Sequence, residues 1–305
     1  MVIQKGTVIK MKKSLIADIT LLLVSIVWGS GFVATQILLD AGISPFYMMG
    51  FRFLIAGVSL GIIFFKRIKK MKKEDILGGF LVGILLYLAF GAQTVGLQYT
   101  TPSKNAFLTG VNVVVVPFLY WAVTHKKPDK YAFAAVGICF LGTAFLSTGS
   151  NMNFGYGEFL SLVCAFLFAG HIVSNGHYVD KTGPFILCFL QMIFASIFSF
   201  VTAFSVETLP PVIPNQTWLA ILYVGIVTTM LAFFLQTWAQ AHTTSTKTAI
   251  ILSTEAVFGT LFSVFLLGEL LTINMIIGGF AIFIAIITAE TKWNFLKFKK
   301  KTVKI

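Results

Sequence analysis

Ten stretches of this chain are each long and apolar enough to cross a lipid bilayer, and little is left between them. A helix needs about 20 mostly apolar residues to span a hydrocarbon core of roughly 30 Å. The blocks run over 15–39, 45–65, 75–98, 102–123, 131–148, 156–179, 184–206, 217–241, 245–267 and 273–290. In hydrocarbon, only helices and closed barrels satisfy every backbone polar group. The alternating pattern of barrel strands is missing here. The expectation is therefore an all-α integral membrane protein with ten transmembrane helices. With 57% hydrophobic and 11% charged residues, the composition is far from the roughly 25% charge of soluble domains. The longest connection is about ten residues, too short for a soluble domain. Cys139, Cys164 and Cys188 all fall inside apolar blocks and form neither a metal-type spacing nor a disulfide framework. The first block is longer than a signal-peptide core and no small-residue cleavage site follows it.

A net charge of +12 on a soluble protein would suggest nucleic acid. Here the positive residues gather between apolar blocks and read as topology signals, so no nucleic-acid partner is expected. Of the 23 Lys and Arg, all but Arg52 and Lys104 fall in the N-terminal tail, around 66–73, 124–130, 181 and 247, and in the C-terminal tail. These are alternate segments. The positive-inside rule then places both termini in the cytoplasm, with an even number of spans, in a multi-pass protein of the cell membrane. Lys297-Phe298-Lys299-Lys300-Lys301 reads as a contact for anionic lipid.

The chain also repeats. AFGAQTVGLQYTTPSKNA (89–106) lies on AFFLQTWAQAHTTSTKTA (232–249) without a gap, and eight of the 18 positions are identical. The alignment continues from Ala106–Pro117 onto Ala249–Thr260, and Pro45-Phe46 lies on Pro184-Phe185, with Arg52 on Gln191. Apolar helices share composition, so chance matches arise; a gap-free TT-x-x-K-x-A run is harder to reach by chance. The organisation expected is a basic tail (1–14), a first repeat (15–148), a second repeat (156–290) and a basic tail (291–305). Five spans per repeat is odd, so the second copy enters the membrane from the opposite side. Inverted repeats of this kind bind substrate near the midplane between the halves.

Several further motifs carry a resemblance. They are Trp28-Gly29-Ser30, Pro45 with Arg52-Phe53, NAFLTGVNVVVVPF (105–118), STEAVFGTLFSVFLLGE (253–269) and Gly278-Gly279. On these the chain, over about 15–290, resembles the drug/metabolite transporter superfamily, specifically proteins with two tandem EamA-type repeats. The resemblance implies the two-repeat fold and an export role. It leaves the substrate open, because members move amino acids, drugs, nucleosides, vitamins and phosphorylated sugars. Where the second repeat has Leu-Gly-Glu269, the first has His125-Lys126-Lys127. Glu269 sits at a loop edge and is not expected to bind substrate. Small multidrug exporters of the superfamily use an embedded acid on their first helix. Asp18 and Asp40 lie near the ends of the first span, so that mechanism does not carry over.

Polar residues inside the spans are the candidate site. A charge at the bilayer centre costs about 2.5–3.5 kcal/mol on insertion scales, so it needs a partner, a cavity or a role. Glu255 lies ten residues into its span, about 15 Å deep. Its repeat equivalent is Asn112. Glu255 reads as a substrate contact or a proton-exchange site, or as a structural carboxylate between helices. Arg52, seven residues into the second span, has three readings: a bidentate clamp on a substrate carboxylate, an ion pair with Glu255, or snorkelling to the outer interface. Gln93 and Gln236 are repeat equivalents, and Gln236 and Gln240 share a helix face. Such amides bind zwitterions or join helices. His171 and Asn175 are likewise one turn apart; a histidine could report proton coupling or only pack. Gln191 shares that choice. Trp28 either lines a cavity or packs. Lys104 and Lys247 are expected to anchor helix starts at the two interfaces. Gly57/Gly61 and Gly79/Gly83 allow close helix approach.

No HExxH, Walker A or Gly-x-Ser-x-Gly sequence is present, so no cofactor is expected, and the driving force would be an ion or substrate gradient. The reading is a secondary transporter with a small-molecule substrate, in the lipid bilayer, with protons as a candidate coupling ion. Amino acids or related compounds fit better than sugar phosphates, because only Arg52 stands as a cation inside the spans. The alternatives are an exporter of another solute class, a non-transporting scaffold, or an intramembrane enzyme.

Overall fold

The computed structural model describes residues 2–125, 127–147, 155–208, 213 and 215–291. Lys126 and the lysine-rich segment 297–301 lie outside the described residues. All regular structure among the described residues is helical. The helices are α1 (Val2–Asp40), α2 (Pro45–Ile63), α3 (Lys73–Leu97), α4 (Pro102–Thr124), α5 (Lys130–Ser147), α6 (Tyr156–Thr182), α7 (Pro184–Val206), α8 (Asn215–Gln240), α9 (Ser245–Leu267) and α10 (Ile273–Thr291). A single turn, Phe65–Ile68, follows α2. Among the described residues, eight helices are long and apolar enough to cross a membrane. Two further apolar stretches, Phe133–Gly142 in α5 and Ile273–Ala285 in α10, are shorter.

The first helix starts earlier than its apolar block, running from Val2 through the basic segment 1–14. The stretch has no proline to stop it, and its Lys, Met and Gln residues propagate a helix well. Hydrophobicity marks where a helix meets lipid, not where its backbone ladder begins.

The two halves of the chain pack mainly against each other. In the first set of contacts, α3 lies on α6 and α7, and α1 lies on α9. In the second, α8 lies on α1 and α2, and α6 lies on α4. Exchanging the halves turns one set into the other. Three pairs of equivalent helices also meet: α2 with α7, α4 with α9, and α5 with α10.

Helix α7 is seated between two glycine faces. A side chain at Gly57 or Gly61 of α2 would meet Ile193 or Phe189, and one at Gly79 or Gly83 of α3 would meet Leu190 or Phe194. At Gly79 the approach is closest, with a Cβ falling 2.3 Å from Leu190 Cβ. Leu190 cannot swing that atom away. Gly79→Ala is expected to cost about 1–3 kcal/mol through overpacking, measured as a lowered melting temperature of the detergent-solubilised protein.

The same positions of the two repeats end their helices in the same way. His125 closes α4 at φ 58° and Gly268 closes α9 at φ 68°. That left-handed geometry is natural for glycine and uncommon for histidine. Beyond Gly268, Glu269 folds back onto the start of α4 and accepts from Ser103 N (3.2 Å), Ser103 Oγ (2.8 Å) and the Ser263 hydroxyl. It is thus a cap on α4. Glu207 does the same for α2, accepting from Phe46 N and Tyr47 N at 3.0 Å. A carboxylate at a helix N-terminus is favourable by about 0.3–1 kcal/mol. Lys104 and Lys247 each find an acid, Glu158 at 3.3 Å and Asp18 at 2.7 Å.

Candidate functional site

Both α4 and α9 change their winding near mid-length, at equivalent positions. Around Gly110-Val111 and around Ser253-Thr254 the backbone bonds shorten to three residues, as in Val111 N to Leu108 O and Thr254 N to Ile251 O. The helices resume at Asn112 and Glu255, so each polar residue is the first of a new segment. Both turn toward one cavity of ≈ 40 Å³ enclosed by α1, α2, α3, α4, α6, α8 and α9. That is room for a few waters, which need about 10–15 Å³ each on this measure. Trp28, Arg52, Gln93, His171 and Gln236 line the same space, with Phe90, Phe168 and Phe233.

Arg52 is 4% exposed, so its side chain does not reach the interface. It forms no ion pair with Glu255 or with any other acid among the described residues. Instead Nε donates to Thr229 Oγ1 (2.9 Å) and Nη2 to Thr228 Oγ1 (3.3 Å), and the guanidinium carbon lies 4.3 Å from the centre of the Phe90 ring. A cation over an aromatic face gains up to about 2 kcal/mol when desolvated. The charge itself remains uncompensated. The Glu255 carboxylate likewise has no hydrogen-bond partner among the described residues, and the residue is 6% exposed. The cavity thus holds one cation and one acid that do not touch.

Several acceptors around the cavity are also left without donors. Gln191 donates through Nε2 to Thr237 Oγ1 (3.2 Å), so its Oε1 accepts from His171 Nε2 (2.8 Å). That fixes the hydrogen on Nε2 and leaves His171 Nδ1 as an acceptor without a donor. Gln236 donates through Nε2 to Gln240 Oε1 (3.3 Å), and its own Oε1 has no partner. Asn112 Oδ1 is also unpaired. Buried acceptors without donors are costly and uncommon in folded proteins.

Two candidates stand apart from this cavity. Gln240 donates to the Ile172 carbonyl (3.0 Å) and accepts from Asn175 Nδ2 as well as from Gln236. Asn175 and Gln240 therefore tie α6 to α8. Gln240 also faces a second cavity of ≈ 540 Å³, lined by Lys13, His177, Asp180 and the α8–α9 turn. The Gln236–Gln240 pair separates the two spaces. Gln93 faces the first cavity while its Nε2 donates to Thr109 Oγ1 (3.2 Å). Trp28 Nε1 donates to the Thr228 carbonyl (2.9 Å) and its ring packs on Phe233.

Thr228, Thr229 and the three phenylalanines are site residues that the sequence reading did not single out. A Thr-Thr pair in mid-span was the available signal. It is weak, because a helix-interior threonine routinely satisfies its hydroxyl on a carbonyl of the preceding turn.

The chain is similar to known proteins along its length. The model of the EamA-like transporter family matches it twice, over residues 15–148 and 155–290. An uncharacterized transporter of Archaeoglobus fulgidus is 38% identical over 281 residues, covering 92% of this chain and 87% of the relative. A second from the same organism is 25% identical over 272 residues, 85% of this chain and 92% of its own. The Bacillus subtilis uncharacterized transporter YvbV is 26% identical over 192 residues, 60% of this chain and 61% of its own. A crystal structure superposes over 94% of this chain and 99% of its own with TM-score 0.67 at 15% identity, a likeness of fold alone. Two family matches in tandem, on a many-helix apolar chain, establish that this multi-pass membrane protein belongs to the EamA-like transporter family.

Proposed function

We propose that the protein is a secondary transporter that carries small zwitterionic metabolites, amino acids first among them, outward across the cell membrane. The observation that carries this reading is the pair of uncompensated charges in one cavity. Arg52 lacks an anion. Glu255, with the orphaned acceptors of His171, Gln236 and Asn112, lacks donors. A carboxylate at Arg52 and an ammonium near Glu255 would satisfy both. Phe90, Phe168 and Phe233 supply apolar contact for the rest of the cargo.

In this reading ten spans form two inverted five-helix repeats with both termini cytoplasmic, and the halves rock to open the cavity to each side in turn. The contacts that exchange with the halves, and the matched breaks in α4 and α9, support it. Cargo larger than a few waters requires the walls to separate. The Gln236–Gln240–Asn175 chain is then a barrier that must part on one side. Protons are the proposed coupling ion, exchanged at Glu255.

The test is counterflow in proteoliposomes with a panel of labelled amino acids. Saturable accumulation of at least one, absent for its carboxamide counterpart, is the expected result. Folded protein that accumulates none of them would overturn the amino-acid assignment and move the search to other solutes.

A further inference from the structure

Between Tyr223 and Leu231, α8 is wound as a π-helix, nine residues long. Such segments are rare and cluster at functional sites. Here the wider winding has a specific product. Thr228 Oγ1 donates to the Val224 carbonyl, four residues back, at 3.0 Å, and Thr229 Oγ1 donates to the same carbonyl, five residues back, at 2.7 Å. Two consecutive hydroxyls are thereby anchored on one oxygen. Their hydrogens are used, so both present only lone pairs outward. Those lone pairs receive Arg52 Nε and Nη2. All three side chains are buried.

A guanidinium carries five N–H groups. The threonines occupy its Nε side, and Phe90 covers a face. Nη1 has no protein acceptor among the described residues, so the end of the fork is open. Hydroxyl oxygens orient the cation without neutralising it, which leaves the demand for an anion intact. A carboxylate from the protein in the same place would have neutralised the cation and removed that demand.

We propose that Thr228 and Thr229 are positioning residues that hold Arg52 as a receptor for one carboxylate group, engaged end-on. The inference rests on Arg52 facing the cavity, as in the transport reading above, and it assigns a role to the π-helical winding of α8.

Arg52 and Arg67 are the two arginines of the chain. Full-length Arg67→Lys protein labelled with [15N]arginine therefore gives one side-chain Nε–H signal. Acetate is the probe and acetamide its uncharged counterpart. The expected result is a slowly exchanging Nε–H that shifts saturably with acetate and not with acetamide. Thr229→Ser should keep both properties. Thr229→Val should speed exchange with water and raise the acetate midpoint roughly tenfold, the size of one hydrogen bond to a charged group. If Thr229→Val does not fold, Thr228→Val, which removes the Nη2 contact, is read in the same titration. A signal that is absent from the Arg67→Lys protein, or that does not respond to acetate, overturns the receptor. An equal acetate midpoint in the valine and serine variants overturns the positioning role. Neither result depends on counterflow: protein that moves no amino acid yet binds acetate loses the amino-acid assignment and keeps this one.

Discussion

Arg52→Leu protein is expected to be at least as stable as wild type and unable to transport a carboxylate-bearing cargo. The reasoning starts from the ion balance. A buried cation without a counter-ion is a cost that the fold carries, offset in part by Phe90 and the two threonine hydroxyls. Replacing buried ionic groups with apolar residues of similar volume is often neutral or stabilising by about 1–4 kcal/mol. Thr228 and Thr229 keep their bonds to Val224 in the variant, so no hydroxyl loses its acceptor. Transport should fall by at least about a hundredfold, since an ion-paired contact of about 3 kcal/mol disappears. Arg52→Lys tests the geometry: an ammonium cannot make the same planar set of contacts, and a loss of about tenfold or more is expected. Melting temperature and counterflow, measured on one preparation, decide the matter. A strongly destabilised Arg52→Leu would mean that the cation is part of the scaffold.

The second large effect is expected at Glu255. Glu255→Gln keeps the size of the side chain and removes its charge. If the carboxylate meets an ammonium, counterflow of amino acids should drop by about 10–100-fold, the range of a hydrogen bond between charged groups. Because no protein group among the described residues bonds to the carboxylate, the fold should tolerate the change, with elution and melting close to wild type. The variant also addresses coupling. Where protons exchange at Glu255, residual counterflow in Glu255→Gln ceases to depend on pH, while that of wild type varies. Full activity in the variant would leave the acid as a structural residue at a helix break.

Much of the cavity was legible because polar residues in apolar runs are expensive and therefore conspicuous. Trp28, Arg52, Gln93, Asn112, His171, Gln236 and Glu255, picked from one dimension, line one space. Asn175 and Gln240 were picked by the same rule and serve as a tie between helices. Depth alone does not separate these roles, since both kinds of residue avoid lipid. The three open readings of Arg52 needed coordinates as well. Sequence placed it within reach of Glu255, and the structure bonds it to hydroxyls some 177 residues away. The π-helical winding of α8 was invisible for a different reason. It differs from an α-helix by one residue in the hydrogen-bond step, and apolar composition reads the same in both. Glu269 was set aside as a loop-edge residue, and its carboxylate caps α4 outside the cavity.

Because so many contacts run between the halves, the order of synthesis has a consequence for the nascent chain. The second partner of each such contact does not yet exist when the first enters the membrane. Arg52 and the hydroxyl that receives its Nε are separated by 177 residues. At about 5–20 residues per second, the arginine waits roughly 10–35 s without it. During that interval the first half of the chain must be held with a bare cation and with two glycine faces open to whatever lies beside them. Whatever shelters those surfaces, lipid headgroups or the insertion machinery, has to let go when α7 and α8 arrive.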